Sequence, residues 1–600
     1  MSPESAPQPN CEPAGAKPGP AETGVGETAH RRVNLSSALP SPHGRSRAAW
    51  IPIFLAVALG FVYVWLFGVN VISGDEWDRL FLFEHQAAGT LTFSDLWSLH
   101  NEHRTFFPEL TVLGLGLATK YNTIVEMYCS VLLLAAVLAM YIYVYVKDFP
   151  GRSALWLLAP AAFLTMSWKQ AETLLLGLLI VFVMVQAASI AVFFCLRLVR
   201  DRNWLAPLAG ALALAVVASF SCAQGLLAWP AGLVQIFLLA INRRLKIALS
   251  LAWMVIGCGV WLTYFHGYVK PAHHPGFIFS PAYLLASVGG ALVGGSGSHS
   301  RMPVLAALVL GAEILLLAAL AVALVIRRRQ WHRYSFWLAT MVYSLLTILS
   351  ITIGRSGLGV HQALSSRYST FAISLVAATY VILISLAREH PASRLWRFQG
   401  VLIGLLLLVV GLGDVAGYLS GSRGREVRQY LAFVVSTIED QPDEVYNPGY
   451  LDSLRSKAAF LKRQGDNVFA KGGIAEKYAP LSDTLPRLSD PTQFKIDGFQ
   501  EIDDHKAYSV TGWAVDSVHG DLAGGVYLVL DGKEYPLYYG APRPEVATRL
   551  QNEGLLHCGF QRLLPAKVVA PGRHEVSLKV LTNDRQALLN TGGGMAMDIK

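Results

Sequence analysis

Apolar runs of about 20 residues recur along the first 420 positions, separated by short polar stretches, and then stop. A helix rising 1.5 Å per residue needs runs of that length to cross a hydrocarbon layer of roughly 30 Å. They fall near 49–69, 123–146, 153–167, 173–197, 204–221, 226–241, 246–264, 303–326, 334–353, 368–387 and 397–419, which predicts eleven membrane spans. The half-apolar stretch 107–118 and the glycine-rich stretch 281–297 are read as segments that stay on one face. Beyond Gly421 the composition turns to that of a soluble protein. Val427, Leu431 and Val434, then Leu454, Ala458 and Leu461, carry helical spacing, so Arg425–Glu439 and Leu451–Arg463 are expected as amphipathic helices joining the membrane part to a terminal domain. From about Pro491, β-rich runs at Tyr508–Val515, Gly525–Leu530, Glu534–Tyr539 and His574–Leu581 alternate with turn residues, Asp531-Gly532 being a hairpin signal. These runs predict a small β-sandwich.

Composition agrees with that pattern: 53% of residues are hydrophobic, 15% are charged, and the mean hydropathy is +0.42. The net charge of +8 calls for no nucleic-acid partner, because its positive residues are local. Arg31, Arg32, Arg45 and Arg47 precede the first span, and alternate connections at Lys147–Arg152, Arg197–Arg202, Asn242–Lys246, Arg327–Arg333 and Arg388–Arg397 are basic. The positive-inside rule then keeps the amino terminus inside, and an odd number of spans leaves the carboxy-terminal domain outside. The expected organisation is a disordered cytoplasmic tail over 1–48, a transmembrane domain over 49–420, a helical linker over 421–490 and a β-sandwich over 491–600. Cys11, Cys129, Cys195, Cys222, Cys258 and Cys558 show no paired spacing and no zinc motif.

The complementary, outward connections hold the unusual polar residues. They are the loop from Asp75-Glu76-Trp77 through His100-Asn101-Glu102-His103-Arg104, then Trp168 to Glu172, Cys222 to Gly225, His266 to Pro275 with Lys270, His273 and His274, and Gly354-Arg355 through Ser366-Arg367-Tyr368. Ionisable groups near membrane depth are costly and mark sites or pathways, so their gathering on one side is informative.

An acidic pair in the first outside loop, a following His-rich segment and outward arginines, on a frame of many spans, resemble the GT-C superfamily of integral membrane glycosyltransferases. The resemblance covers about residues 50–420 by architecture and a handful of positions by motif. It implies a bacterial inner-membrane enzyme that moves a sugar from a polyprenyl-phosphate donor to an envelope glycan, glycolipid or protein on the periplasmic face. In that family a first-loop Asp or Glu acts as base or metal ligand, and Asp75 and Glu76 hold the matching place. Asp75 follows Gly74 and is the expected base, with Glu76 as runner-up or orienting partner; adjacent carboxylates in an extended chain point apart. Arg355 and Arg367 flank a glycine-rich loop suited to the leaving phosphate, with Lys270, His273, His274 and Arg104 as further cations. Glu172, His103 and Trp168 are the acceptor-side candidates. A divalent cation, magnesium or manganese, stays open as a helper of Asp75 with Glu172, whereas His100 and His103 point to a headgroup or phosphate.

Two other classes fit a chain with many spans: a transporter or flippase of lipid-linked sugars, and a membrane anchor displaying the terminal domain. A transporter is expected to carry charges at the bilayer midplane and related halves; here the charges read as gathered in loops on one side. No GxGxxG opens a strand-to-helix unit, which speaks against a nucleotide-sugar donor. Gly512-Trp513-Ala514-Val515-Asp516, Arg543-Pro544-Glu545-Val546-Ala547 and Gly559-Phe560 resemble β-sandwich modules appended to bacterial glycosyltransferases and surface proteins, with Trp513 and Phe560 expected as core aromatics.

Overall fold

A computed structural model describes residues 48–599 apart from short stretches at 150–154, 271–275, 294–300, 390–393, 443–447, 483, 503–506, 567, 570–571 and 593. Ala49–Lys600 form one unit, and the amino-terminal tail up to residue 47 lies outside the described residues.

Among the described residues, 7 helices are long and apolar enough to cross a membrane: Thr123–Asp148, Gly177–Leu198, Arg243–Phe265, Arg301–Arg327, Ser335–Leu358, Ser366–Glu389 and Gln399–Ser436. Ile51–Phe67, Leu205–Ser219 and Ala223–Leu238 are apolar helices at expected spans but shorter, and the expected span at 153–167 is a turn at Leu155–Leu158 followed by the helix Ala159–Thr165. The run at 173–197 is not continuous either: the helix Ala171–Leu175 stops at the extended residue Leu176 before the chain turns helical again. Side chains set several of the starts. The Asn122 carboxamide accepts from the Ile124 amide and that of Asn242 from the Leu245 amide, each satisfying a donor left over at a helix end. Ser366–Glu389 is buried from Tyr368 through Ala387, which makes it the central post of the bundle; Tyr380 donates to the Leu157 carbonyl and Tyr141 to the Ser374 hydroxyl across its sides.

The loops sort to opposite ends of the helices. At one end Arg197 pairs with Asp148, Arg333 pairs with Glu389, and the Asp201 carboxylate accepts from Asn242. At the other end Arg355 pairs with Glu102, Glu172 accepts from Arg367, and the Phe107 amide donates to the Phe220 carbonyl. The basic connections thus touch one another, and so do the polar ones.

The expected boundary at Gly421 is not a structural break. Arg394–Ser436 is one helix of 43 residues, about 65 Å long, so it runs out of an apolar layer of roughly 30 Å with half its length to spare. The helix Pro448–Gln464 then packs back: Leu451, Ala458, Phe460 and Leu461 share a core with Trp77, Leu80, Phe83 and Val112 of the first loop. Asn467, fully buried with φ 52, donates to Asn70 Oδ1 at 2.9 Å and to the Tyr121 carbonyl at 2.8 Å. The segment between membrane and terminal domain is therefore clamped onto the first loop.

The terminal domain has two sheets, one built on Phe494–Ile502, Ala507–Asp516, Gly559–Pro565 and Tyr538–Ala541, the other on Gly525–Leu530, Lys533–Pro536 and Gly572–Leu581. Val510 and Phe560 of the first meet Leu528 and Leu578 of the second in one core. Asp531 and Gly532, with φ 50 and 82, join two strands whose end residues Leu530 and Lys533 pair, as a two-residue hairpin turn requires. Trp513 and Phe560 are buried.

Candidate functional site

Gly74 takes φ 57 and opens the turn Gly74–Arg79, which throws two neighbouring carboxylates in opposite directions. Asp75 is exposed, whereas Glu76 is 1% exposed and accepts from the Ser73 amide at 3.3 Å. Glu76 faces Glu126, which enters from the first turn of Thr123–Asp148 and is also 1% exposed. A methyl group on Gly177 would sit 3.0 Å from Glu76 Oε1 and 2.5 Å from Glu126 Oε2, so only glycine lets both carboxylates close on that turn. Behind them Arg79 pairs with Glu109 at 3.0 Å, and the Thr105 hydroxyl donates to the same carboxylate at 2.9 Å. Tyr121, fully buried and stacked on Phe83 at 4.3 Å, completes the group. Burial pushes the Glu76 carboxyl up to about 7, against the Ser73 amide and Arg79. Burial and the surrounding carboxylates hold the Tyr121 phenol well above its ordinary value. His100, half-buried nearby, is pulled below its ordinary value by burial and then by Arg79.

The hairpin that carries His100 pairs it with His103, and His103 opens onto a cavity of about 320 Å³ on its other side. Glu102, His103, Lys270 and Arg355 supply its charged rim; Trp261, Tyr264, Phe265, Phe277 and Tyr368 supply aromatic walls. Arg355 is paired with Glu102, which also lies 3.6 Å from His103, and Lys270 stands over the Phe277 ring at 4.4 Å. Next to Tyr368, Arg367 binds the Glu172 carboxylate at 3.0 Å, and Ser365 donates to the same oxygen at 2.9 Å. Asp75 lies within electrostatic reach of both Arg367 and His100. Lys169, 4% exposed, sits on the same turn as Glu172; burial brings its ammonium down to about 8, with Glu172 opposing.

Of the residues singled out from the sequence, His103, Lys270 and Arg355 line the cavity, Glu172 and Arg367 form an ion pair next to its Tyr368 wall, and Asp75 is exposed on the first loop. Arg104 is engaged elsewhere: its guanidinium donates to the carbonyls of Tyr264 at 2.8 Å, Trp97 at 2.9 Å and His266, tying the first loop to the end of Arg243–Phe265. Trp168 packs between spans, stacked on Tyr63 at 5.0 Å with its indole donating to the Leu59 carbonyl. His273 and His274 lie outside the described residues. Sequence reading passed over Arg79, Glu109 and Glu126, although a carboxylate inside an apolar run was a visible signal for the last two. It also placed the charges in loops alone, yet Glu313 lies mid-way along Arg301–Arg327 and Asp414 within the long helix, where Asp414 accepts from the Ser167 hydroxyl at 2.6 Å and the Trp168 amide at 2.8 Å. No group of three or more His, Cys, Asp or Glu arranged to hold a metal ion occurs among the described residues.

What these features define together is a helical protein with several helices long and apolar enough to cross a membrane, an aromatic-walled cavity with a charged rim, and a β-sheet domain seated on the end of the long helix. Compared with protein-family models, with curated proteins and with solved structures, the chain matches none.

Proposed function

We propose that the chain is a membrane glycosyltransferase of GT-C type, moving one sugar from a polyprenyl-phosphate carrier to an envelope glycan, glycolipid or protein at the polar end of the bundle. The observation that carries this reading is the exposed carboxylate of Asp75 on the first loop, which also lends Glu102 and His103 to an aromatic-walled, cation-edged cavity. In this reading the amino terminus is inside, and the cavity and terminal domain face the periplasm of a bacterial inner membrane; the mutual contact of the basic connections at the opposite end supports that orientation.

The chemistry assigns each group a task. Asp75 takes the proton of the acceptor hydroxyl as that oxygen attacks the anomeric carbon. The bond from that carbon to the carrier phosphate breaks with inversion, and the electron pair leaves on the phosphate oxygen. Arg355 and Lys270 meet that charge, and the fork of Arg355 exchanges its Glu102 carboxylate for phosphate, a trade between two anions of like geometry. Glu172, held by Arg367 and Ser365, is placed to accept hydrogen bonds from acceptor hydroxyls. Were a divalent cation to take part, Asp75 and Glu172 would be the carboxylates to hold it, and it would supply positive charge for the leaving phosphate. Glu76 is turned away from this space and holds the turn instead.

A transporter would need its mid-span charges in an internal pathway. Asp414 is spent on capping the turn at Ser167, and Glu313 lines an open cleft on the outer side of the bundle, so neither favours that alternative. The test compares envelope glycans by mass spectrometry among wild type, a deletion strain and Asp75→Asn at equal membrane abundance. One discrete sugar mass lost in both the deletion and the variant is the expected result. Retention of that mass in Asp75→Asn would remove Asp75 as base, and an unchanged profile in the deletion would overturn the activity.

A further inference from the structure

Glu313 is the 13th of the 27 residues of Arg301–Arg327, about 20 Å of helix from either end, which puts it near the bilayer centre whichever way the helix points. It is exposed on the outside of the bundle and has no hydrogen bond or ion pair within the described chain. Carboxylates at that depth normally face a bundle interior or a partner. The surface around it is not a flat lipid-facing side but a cleft of about 100 Å³ between three helices. Leu310, Glu313, Ile314 and Leu317 form its first wall, at steps of three and four along the helix. Val376, Thr379, Tyr380 and Leu383 repeat that spacing on Ser366–Glu389, and Leu402, Leu405, Leu406 and Val409 repeat it on the long helix. Three parallel stripes at that spacing make the ridges and hollows that accept the side chains of another helix. One polar acidic group in an otherwise apolar seat then selects the partner's charge.

We propose that this cleft seats a transmembrane helix of a partner protein that carries a basic side chain at mid-bilayer depth, paired with Glu313. Charge decides against a second copy of this chain. In Thr123–Asp148, Gly177–Leu198, Arg243–Phe265, Arg301–Arg327, Ser335–Leu358 and Ser366–Glu389 every Lys and Arg stands within four residues of an end, and the long helix has none between Arg397 and Arg423, so a second copy offers no cation at the depth of Glu313. A polyprenyl or acyl chain would fill the apolar stripes but offers nothing to a carboxylate.

The probe is a synthetic poly-leucine helix of about 20 residues, long enough to span the bilayer, with a single lysine at its centre, against the same peptide with leucine there. Fluorescence energy transfer is read between labelled peptide and the labelled full-length chain in phosphatidylcholine vesicles, for wild type and Glu313→Gln. The expected result is association of the lysine peptide with wild type at least tenfold tighter than with Glu313→Gln, and equal, weak association of the leucine peptide with both. Equal association of the lysine peptide with wild type and variant overturns the proposal. So does transfer between two labelled copies of the chain that is lost in Glu313→Gln, which would make a second copy the occupant. Wild-type elution on gel filtration confirms that the variant is folded.

Discussion

Glu76→Gln tests whether the carboxyl beneath the Asp75 turn titrates inside the folded protein. Burial raises it from its ordinary 4.5 to about 7, with the Ser73 amide and Arg79 pulling the other way. Between those two values the folded chain holds a proton that the unfolded chain has already released. Stability therefore falls as pH rises through that window, and the loss is complete above the folded value. A shift of that size corresponds to about 3 kcal/mol at pH well above 7. Glutamine keeps an oxygen for the Ser73 amide and carries no charge, so the variant should lie within about 1 kcal/mol of wild type near pH 5 and be more stable by up to about 3 kcal/mol near pH 8.5. Large membrane proteins unfold irreversibly, so the readout is the half-life of the monodisperse species at a fixed elevated temperature, in lipid nanodiscs, from pH 5 to 9. The wild-type half-life should shorten across the window more steeply than that of the variant, which keeps only the buried Glu126 carboxyl of the pair. Parallel profiles for the two proteins, or a wild type that gains stability toward pH 8, would refute the reasoning.

Gly177→Ala should cost about 1–3 kcal/mol by driving a methyl group into the Glu76 and Glu126 carboxylates, seen as a lower thermal midpoint that Glu76→Ala partly restores. Arg104→Lys should cost about 3 kcal/mol, because one ammonium cannot serve three carbonyls in a fan; hydrogen exchange should rise at Trp97–Arg104 and at Tyr264–His266 together. Truncation after residue 490 uncovers Phe433 and Val434 at the end of the long helix, whereas truncation after residue 442 also uncovers Trp77, Leu80 and Phe83, so aggregation on gel filtration should be worse for the second.

The apolar runs were legible because hydropathy averaged over a span survives any single exception, and Ser366–Glu389 or Arg301–Arg327 falls where such an average puts it. The same averaging hides Glu126 and Glu313, each one carboxylate in an apolar stretch, although those are the positions where an ionisable group carries most information. The continuity of the helix through Gly421 was hidden for a related reason. Composition changes there, but nothing in Gly421 to Arg425 stops a helix, and the next turns remain helical through Ser436. The break at Leu176 has no composition signal, since it is fixed by two distant carboxylates meeting at Gly177. The hairpin at Asp531-Gly532 could be read directly, because positive φ at both positions is a local demand that residue type answers. The site divides along the same line: polar loops on one end are a local property, while which of Asp75 and Glu76 faces out depends on tertiary packing.

Contacts run without interruption from the terminal domain to the Asp75 turn. Arg562, 1% exposed in the sheet domain, donates to the Pro536 carbonyl, lies over Phe433 of the long helix and reaches Asp440 at 3.5 Å. Phe433 packs on Tyr538, so the end of the long helix is seated in the domain. From there the chain returns through Pro448–Gln464, whose Leu461 and Phe460 pack with Trp77 and whose Lys457 lies 3.8 Å from Asp78. Asn467 closes the circuit on Asn70 and Tyr121, the latter within electrostatic reach of Glu76. A loop at the end of a bundle is ordinarily the most mobile part of a membrane protein. Here the residues on either side of Asp75 are held from below by the buried acid group and from the side by the returning helix, leaving its carboxylate as an exposed group on a fixed turn. That is the condition under which one carboxylate can keep a set distance from a reacting hydroxyl.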